Sequence, residues 1–269
     1  MGTIVPALGM MLSRAELIAQ VRAREELGYR QIDARCQADG MYWLRNHTNT
    51  YDPKAIAAGE NPVRPFPDWE YFDALWYFLT RPATWPHQFY PKSREMLTSW
   101  IAAAYAMHLA QWTPYAQIIC QTEKEDKATK LVGYSKCLYD QQAEWQRKMH
   151  PLKGGYIKTR PGKDKELELK LANGAEIIGI ASGANQIPSY HPTLVILDEA
   201  ALWPESALSY QLALPVAAQI ISISTARPGP FEEECGATPG ASGDPENIDE
   251  RATLDLRQRM EGISFVALK

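Results

Sequence analysis

Leu194-Val195-Ile196-Leu197 is a run of four large apolar residues that ends abruptly in two acids, Asp198 and Glu199. A strand with one face in water alternates apolar and polar residues. An uninterrupted run requires cover on both faces, which mostly parallel sheets receive from helices. A second run of this kind, QIISISTA at 219–226, ends in small hydroxyl residues. Around both, strand-like and helix-like stretches alternate from residue 85 onward.

The stretch 85–90 reads as a strand and 97–112 as an Ala- and Leu-rich helix. A strand at 115–122 and one long helix over 123–149 follow. The segment 166–182 reads as a hairpin, because Asn173-Gly174 suits a type I′ turn. Helix is expected again at 204–218. The predicted architecture is α/β, with a mostly parallel central sheet and helices on both faces. Ligands of such sheets bind beyond the carboxyl ends of the strands.

The flanks differ. Ser13-Arg14-Ala15-Glu16 has the form of a capping box, ahead of a helix to about Gly28. The stretches 42–53 and 57–68 are rich in turn formers and read as irregular; a helix is expected over 68–79. Residues 1–84 therefore read as an arm or lid packed on a core at 85–230. Residues 231–269 read as a flexible acidic loop and the start of a linker, with a short helix near 249–260 and a strand at 263–269.

The chain has 269 residues, 45% apolar and 22% charged, enough for one large core or two small ones. No apolar run is long enough for a membrane helix, and the N-terminus lacks the form of a secretory signal. A net charge of -4 excludes a generically basic nucleic-acid coat, while local basic patches stay open. Cys36, Cys120, Cys137 and Cys235 have no metal-ligand spacing and read as reduced thiols.

PKSREMLTSW at 91–100 falls between the first strand and its helix. Aligned on Ser99, it has the spacing of G-x-x-x-x-G-K-[ST], but Lys92 and Leu97 replace the glycines and Thr98 the lysine. The unpaired N–H groups of a helix start still attract anions. Lys92 and Arg94 offer cations, and Thr98 and Ser99 offer hydroxyls. A basic first turn of a core helix is the plainer reading of this stretch alone. Asp198, delivered to the sheet's edge, suits a Mg²⁺ site, and Glu199 a general base for water.

Taken together, PKSREMLTSW, CQTEKEDKATKLV, GIASGANQIPSYHPTLVILDEAALWPE and IISISTARPG resemble the ATPase domain of tailed-bacteriophage terminase large subunits, over roughly 85–230. The resemblance implies a three-layer P-loop NTPase-type fold, ATP and Mg²⁺ as cofactors, and hydrolysis that drives double-stranded DNA into procapsids. It implies phosphate contacts from Lys92, Ser93, Arg94, Thr98 and Ser99. Ser99 and Asp198 would hold Mg²⁺ and Glu199 would be the base. Ser224, Thr225 and Ala226 would couple hydrolysis to motion. Portal protein, small terminase subunit and a homo-oligomeric ring would be the partners, in the host cytoplasm; an isolated domain could be monomeric.

There are departures. Leu97 stands where many relatives have Gly, and Pro188 falls near an expected Arg. No adenine-reading Gln motif is evident, and Trp69 and Tyr71 read as core before base-stacking residues. The pairs Lys127/Lys130 and Arg147/Lys148 read as solvated helix faces. No carboxylate cluster for a nuclease follows residue 230, so an isolated motor domain is expected. Two alternatives remain: a weak or inactive nucleotide-binding or docking module, and another helicase-like P-loop ATPase.

Overall fold

The computed structural model describes residues 14–92, 96–153, 168–181 and 183–225. The expected elements at 249–260 and 263–269, the linker at 231–269 and Ser13 lie outside these residues.

Helix α1 (Arg14–Ala38) does not stop at Gly28. One glycine costs a helix only about 1 kcal/mol relative to Ala, and no Pro follows to end it. Its later turns reach the core through Asp33 and Cys36. The expectation of irregular chain at 42–53 is also corrected, since α2 (Gly40–His47) covers its whole first half. Asp39 caps α2 by accepting from the Tyr42 N–H at 2.9 Å, and Met41, Trp43 and Leu44 are buried. Turn formers at Asn46, Thr48 and Asn49 masked that apolar face in the sequence. A short ribbon of β1 (Thr50–Tyr51) and β2 (Val63–Arg64) encloses α3 (Pro53–Ala57). Helix α4 (Glu70–Leu79) then buries Phe72, Leu75, Trp76 and Leu79. Gly40 is the contact point between α2 and α4: a Cβ there would lie 2.0 Å from Trp76.

Strand β3 (His87–Lys92) leads to α5 (Thr98–Trp112), and β4 (Gln117–Gln121) follows. The long helix expected at 123–149 is two, α6 (Glu125–Asp140) and α7 (Glu144–Met149). The break returns the chain to the core, where the buried Gln142 exchanges side-chain hydrogen bonds with Gln111. Strands β5 (Glu168–Lys170) and β6 (Glu176–Ile180) form the expected hairpin. Its turn is not type I′, which needs positive φ at both central residues. Only Gly174 is left-handed, at φ 88, while Asn173 accepts from the Ala175 N–H. Strand β7 (Leu194–Asp198), helix α8 (Ser206–Ala213) and β8 (Ile220–Thr225) complete the described chain.

The sheet order is β3-β8-β7-β4-β6-β5, with every pairing parallel except β5 with β6. The two faces are apolar in alternation. Leu194 and Ile196 of β7 join one core with α2, α4, α5 and α6, whereas Val195 and Leu197 join another with Trp203 and Ala213. Helices therefore cover both faces, as the unbroken apolar run requires. The fold is consistent with a P-loop NTPase-like three-layer architecture.

Candidate active site

Strand order sets up the site. Strand β8 inserts between β3 and β7, so three strand ends become neighbours although their sequences are far apart. Lys92 pairs with Thr225 across β3 and β8, and Asp198 pairs with Ile223 across β7 and β8. The chain leaves β3 toward β4 on one side and returns through β7 to β8, which makes this edge a topological switch point.

Lys92 Nζ lies 2.9 Å from Glu199 Oε1, and the Lys92 side chain is only 9% exposed. Ser99, in the first turn of α5, donates to Asp198 Oδ1 at 3.0 Å. Thr225 approaches Glu199 Oε2 through its N–H at 3.5 Å and its hydroxyl at 3.4 Å. Ser224 Oγ accepts from the Ala201 N–H at 2.9 Å, which ties β8 to the turn following Glu199. Lys92, Ser99, Asp198, Glu199, Ser224 and Thr225 thus converge. Thr98 is buried and borders the neighbouring cavity. Ser93, Arg94 and Ala226 lie outside the described residues.

Two backbone positions within the site are unusual. Leu97 (φ 53) and Glu199 (φ 56) are left-handed without being glycine. Each such residue costs roughly 1–2 kcal/mol. Leu97 occupies the position of the loop's second glycine, so the loop keeps the glycine-like turn in spite of the β-carbon. Its side chain packs on the apolar core, which offsets part of that cost. At Glu199 the left-handed turn directs the carboxylate back toward Lys92 and Thr225.

The two acids titrate in opposite directions. Burial and the neighbouring Glu199 charge push Asp198 up from 3.8 to about 6, although Ser99 and Lys92 pull the other way. Burial also acts to raise Glu199, but hydrogen bonding and charge from Lys92, with help from Thr225, leave its pKa lowered. Adjacent carboxylates driven apart in this way suit different roles.

Among the described residues no group of three His, Cys, Asp or Glu could hold a metal. That is compatible with Mg²⁺, which often takes one or two carboxylates and fills its shell with water and substrate phosphate. The Ser99 hydroxyl and Asp198 carboxylate are hard oxygen donors of the right kind.

Two cavities meet at this edge. One, of about 430 Å³, is lined by Lys92, Ser99, Lys127, Lys130, Asp198, Glu199 and Thr225, among others. The other, of about 770 Å³, lies between the loop and the N-terminal ribbon. Tyr51, Arg64, Trp69, Leu97, Thr98 and Lys130 are among its walls. Trp69 is 40% exposed and stacks on Tyr71, whose hydroxyl donates to the Met96 carbonyl. Sequence reasoning missed Tyr134 and read Lys127 and Lys130 as a solvated helix face; both lysines are exposed, yet Lys130 and Tyr134 line both cavities and Lys127 lines the smaller. Their spacing on one face of α6, just after β4, was the available signal.

No protein-family model and no curated protein matches the chain. Among solved structures, it is similar to the HK97 bacteriophage large terminase, at 10% identity and a TM-score of 0.49, covering 69% of this chain and 36% of that one. It is also similar to a mutant of the Thermus phage P74-26 large terminase ATPase domain, at 19% identity and a TM-score of 0.40, covering 69% and 74%. The Phi-28 gp11 DNA packaging motor shares 8% identity at a TM-score of 0.34, covering 58% and 51%. The chain therefore spans about a third of the HK97 protein's length.

Proposed function

We propose that this chain binds ATP with Mg²⁺ and hydrolyses it as the motor domain of a tailed-bacteriophage large terminase, moving double-stranded DNA into procapsids. The observation that carries the reading is the meeting of Lys92, Ser99, Asp198, Glu199 and Thr225 at three adjacent strand ends beside a cavity. Attack of water on a terminal phosphoryl group depends on positioning and charge neutralisation more than on covalent chemistry.

Lys92, on leaving its ion pair, supplies positive charge to phosphate oxygens. Glu199 then loses the partner that lowers its pKa, and becomes a stronger base for water while Thr225 still touches its other oxygen. Ser99 and Asp198 hold Mg²⁺, which when bound neutralises phosphate charge. Through Thr225, and through Ser224's grip on Ala201, a change at Glu199 reaches β8. A ring of copies, with portal protein, small terminase subunit and DNA, is the proposed working assembly in the host cytoplasm. No helix among the described residues is long and apolar enough to cross a membrane.

The test is phosphate release together with nucleotide binding. Wild type should release phosphate, and Glu199→Gln should bind ATP but release phosphate about 100-fold more slowly or worse. Equal rates, or no nucleotide binding by wild type, would overturn the reading. A second reading, a nucleotide-binding or docking module without hydrolysis, is favoured by the Lys92–Glu199 pair, which neutralises cation and base together. Binding with equal silence in both proteins selects it.

A further inference from the structure

Of the two cations that the loop sequence offers, Arg94 lies outside the described residues and Lys92 is already committed to Glu199 at 2.9 Å. A nucleoside triphosphate brings several negative charges into a cavity that also holds two carboxylates. Like charges at this separation repel strongly. Further positive charge beside Glu199 would offset that repulsion.

Helix α6 supplies it. Lys127, Lys130, Leu131 and Tyr134 line the same 430 Å³ cavity as Glu199, Leu202 and Thr225. The two lysines differ in what they already hold. Lys127 Nζ is paired with Glu123 at 2.9 Å, one turn earlier. Lys130 has no carboxylate within ion-pair distance among the described residues, and its ammonium sits 5.8 Å from the centre of the Tyr134 ring. Tyr134 in turn stacks on Trp100 of α5, with ring centroids 4.2 Å apart. The helix face that carries Lys130 is thus fixed against the helix that carries Ser99. Lys130 also lines the larger cavity together with Lys92, Ser99 and Tyr134, so it stands where the two cavities join.

We propose that Lys130 is a phosphate-binding residue of this site, contacting the terminal phosphate of a nucleoside triphosphate from the α6 side. It lines the same two cavities as Lys92 and adds positive charge to that of Lys92. The proposal rests on the nucleotide-binding reading and assigns within it a residue from outside the loop. A long flexible ammonium suits this role, because it can move from the Tyr134 ring onto a phosphate oxygen without moving α6.

The experiment is equilibrium binding of ATP and ADP, each with Mg²⁺, to the full chain. The proteins are wild type, Lys130→Ala, Lys130→Arg and, as a charge control on an exposed helix, Lys148→Ala. Loss of one charge-assisted contact should weaken ATP binding by about tenfold or more in Lys130→Ala. ADP binding should change by less than about threefold, and Lys130→Arg should recover most of the ATP affinity. Lys148→Ala should match wild type. Unchanged ATP affinity in Lys130→Ala, or equal losses for ATP and ADP, would overturn the assignment while leaving nucleotide binding intact. Wild type that binds neither nucleotide would instead remove the reading on which the assignment rests.

Discussion

Replacing Asp198 by Asn separates what the carboxylate costs the fold from what it does chemically. Burial and Glu199 raise its pKa from 3.8 to about 6. The folded state therefore binds this proton more tightly than the unfolded state does. The resulting penalty is absent below 3.8, grows through the interval to about 6, and is complete above it. At about 1.36 kcal/mol per pK unit, the penalty is about 3 kcal/mol. Asp198 keeps part of its surface in solvent, so that value is a ceiling. Asn has no such proton and can still accept from Ser99. The stability of Asp198→Asn relative to wild type should thus increase by up to about 3 kcal/mol between about pH 4 and about pH 8. Glu199 acts in the other sense: its lowered pKa gives stability above 4.5 that is lost as pH falls below it. Glu199 is present in both proteins, so its contribution largely cancels in the difference. Urea unfolding at stepped pH measures that difference directly. A difference that stays flat, or shrinks as pH rises, would show that Asp198 is not held in a site that resists its charge. Phosphate release should be lost in the same variant, whichever way the stability moves.

Leu97 and two glycines give further tests, read by thermal or urea unfolding. At Leu97 the Gly variant should be more stable than the Ala variant by about 1 kcal/mol, the reverse of the order inside a helix, because φ there is 53. The opposite order would mean that the loop does not hold its left-handed turn. Gly40→Ala should destabilise by about 1–3 kcal/mol or more, since its Cβ would meet the buried Trp76 ring at 2.0 Å. Gly28→Ala, mid-helix with nothing within 4 Å of its Cβ, should stabilise by about 0.5–1 kcal/mol. A loss at Gly28 would contradict the continuous α1.

Much of the fold was legible because its signals are local. The unbroken run Leu194–Leu197 requires cover on both faces wherever the strand sits, and the two cores provide that cover. Helices α4 and α5 and strand β4 lie within two residues of their expected bounds for the same reason, whereas β3 runs on through Pro91 to Lys92 instead of ending near Tyr90. Misreadings arose where a local preference was weak against packing. Gly28 was too small a penalty to end α1, and the turn formers of 46–49 hid a helix stabilised by burial of Trp43 and Leu44. The two-helix break at 141–143 depends on Gln142 finding Gln111, which no local pattern records.

By itself, the sequence determined which chemistry is available: two acids at the end of a buried strand, a basic loop before a helix, and hydroxyls at the end of another strand. Each of these is a property of a few consecutive residues. Tertiary structure alone decided which of them meet. Insertion of β8 between β3 and β7 is a choice among strand orders that leave every local pattern unchanged, yet it puts Thr225 beside Glu199 and Glu199 beside Lys92. The same packing turns one face of α6, otherwise an ordinary charged helix surface, toward the cavity and brings Lys130 to the site.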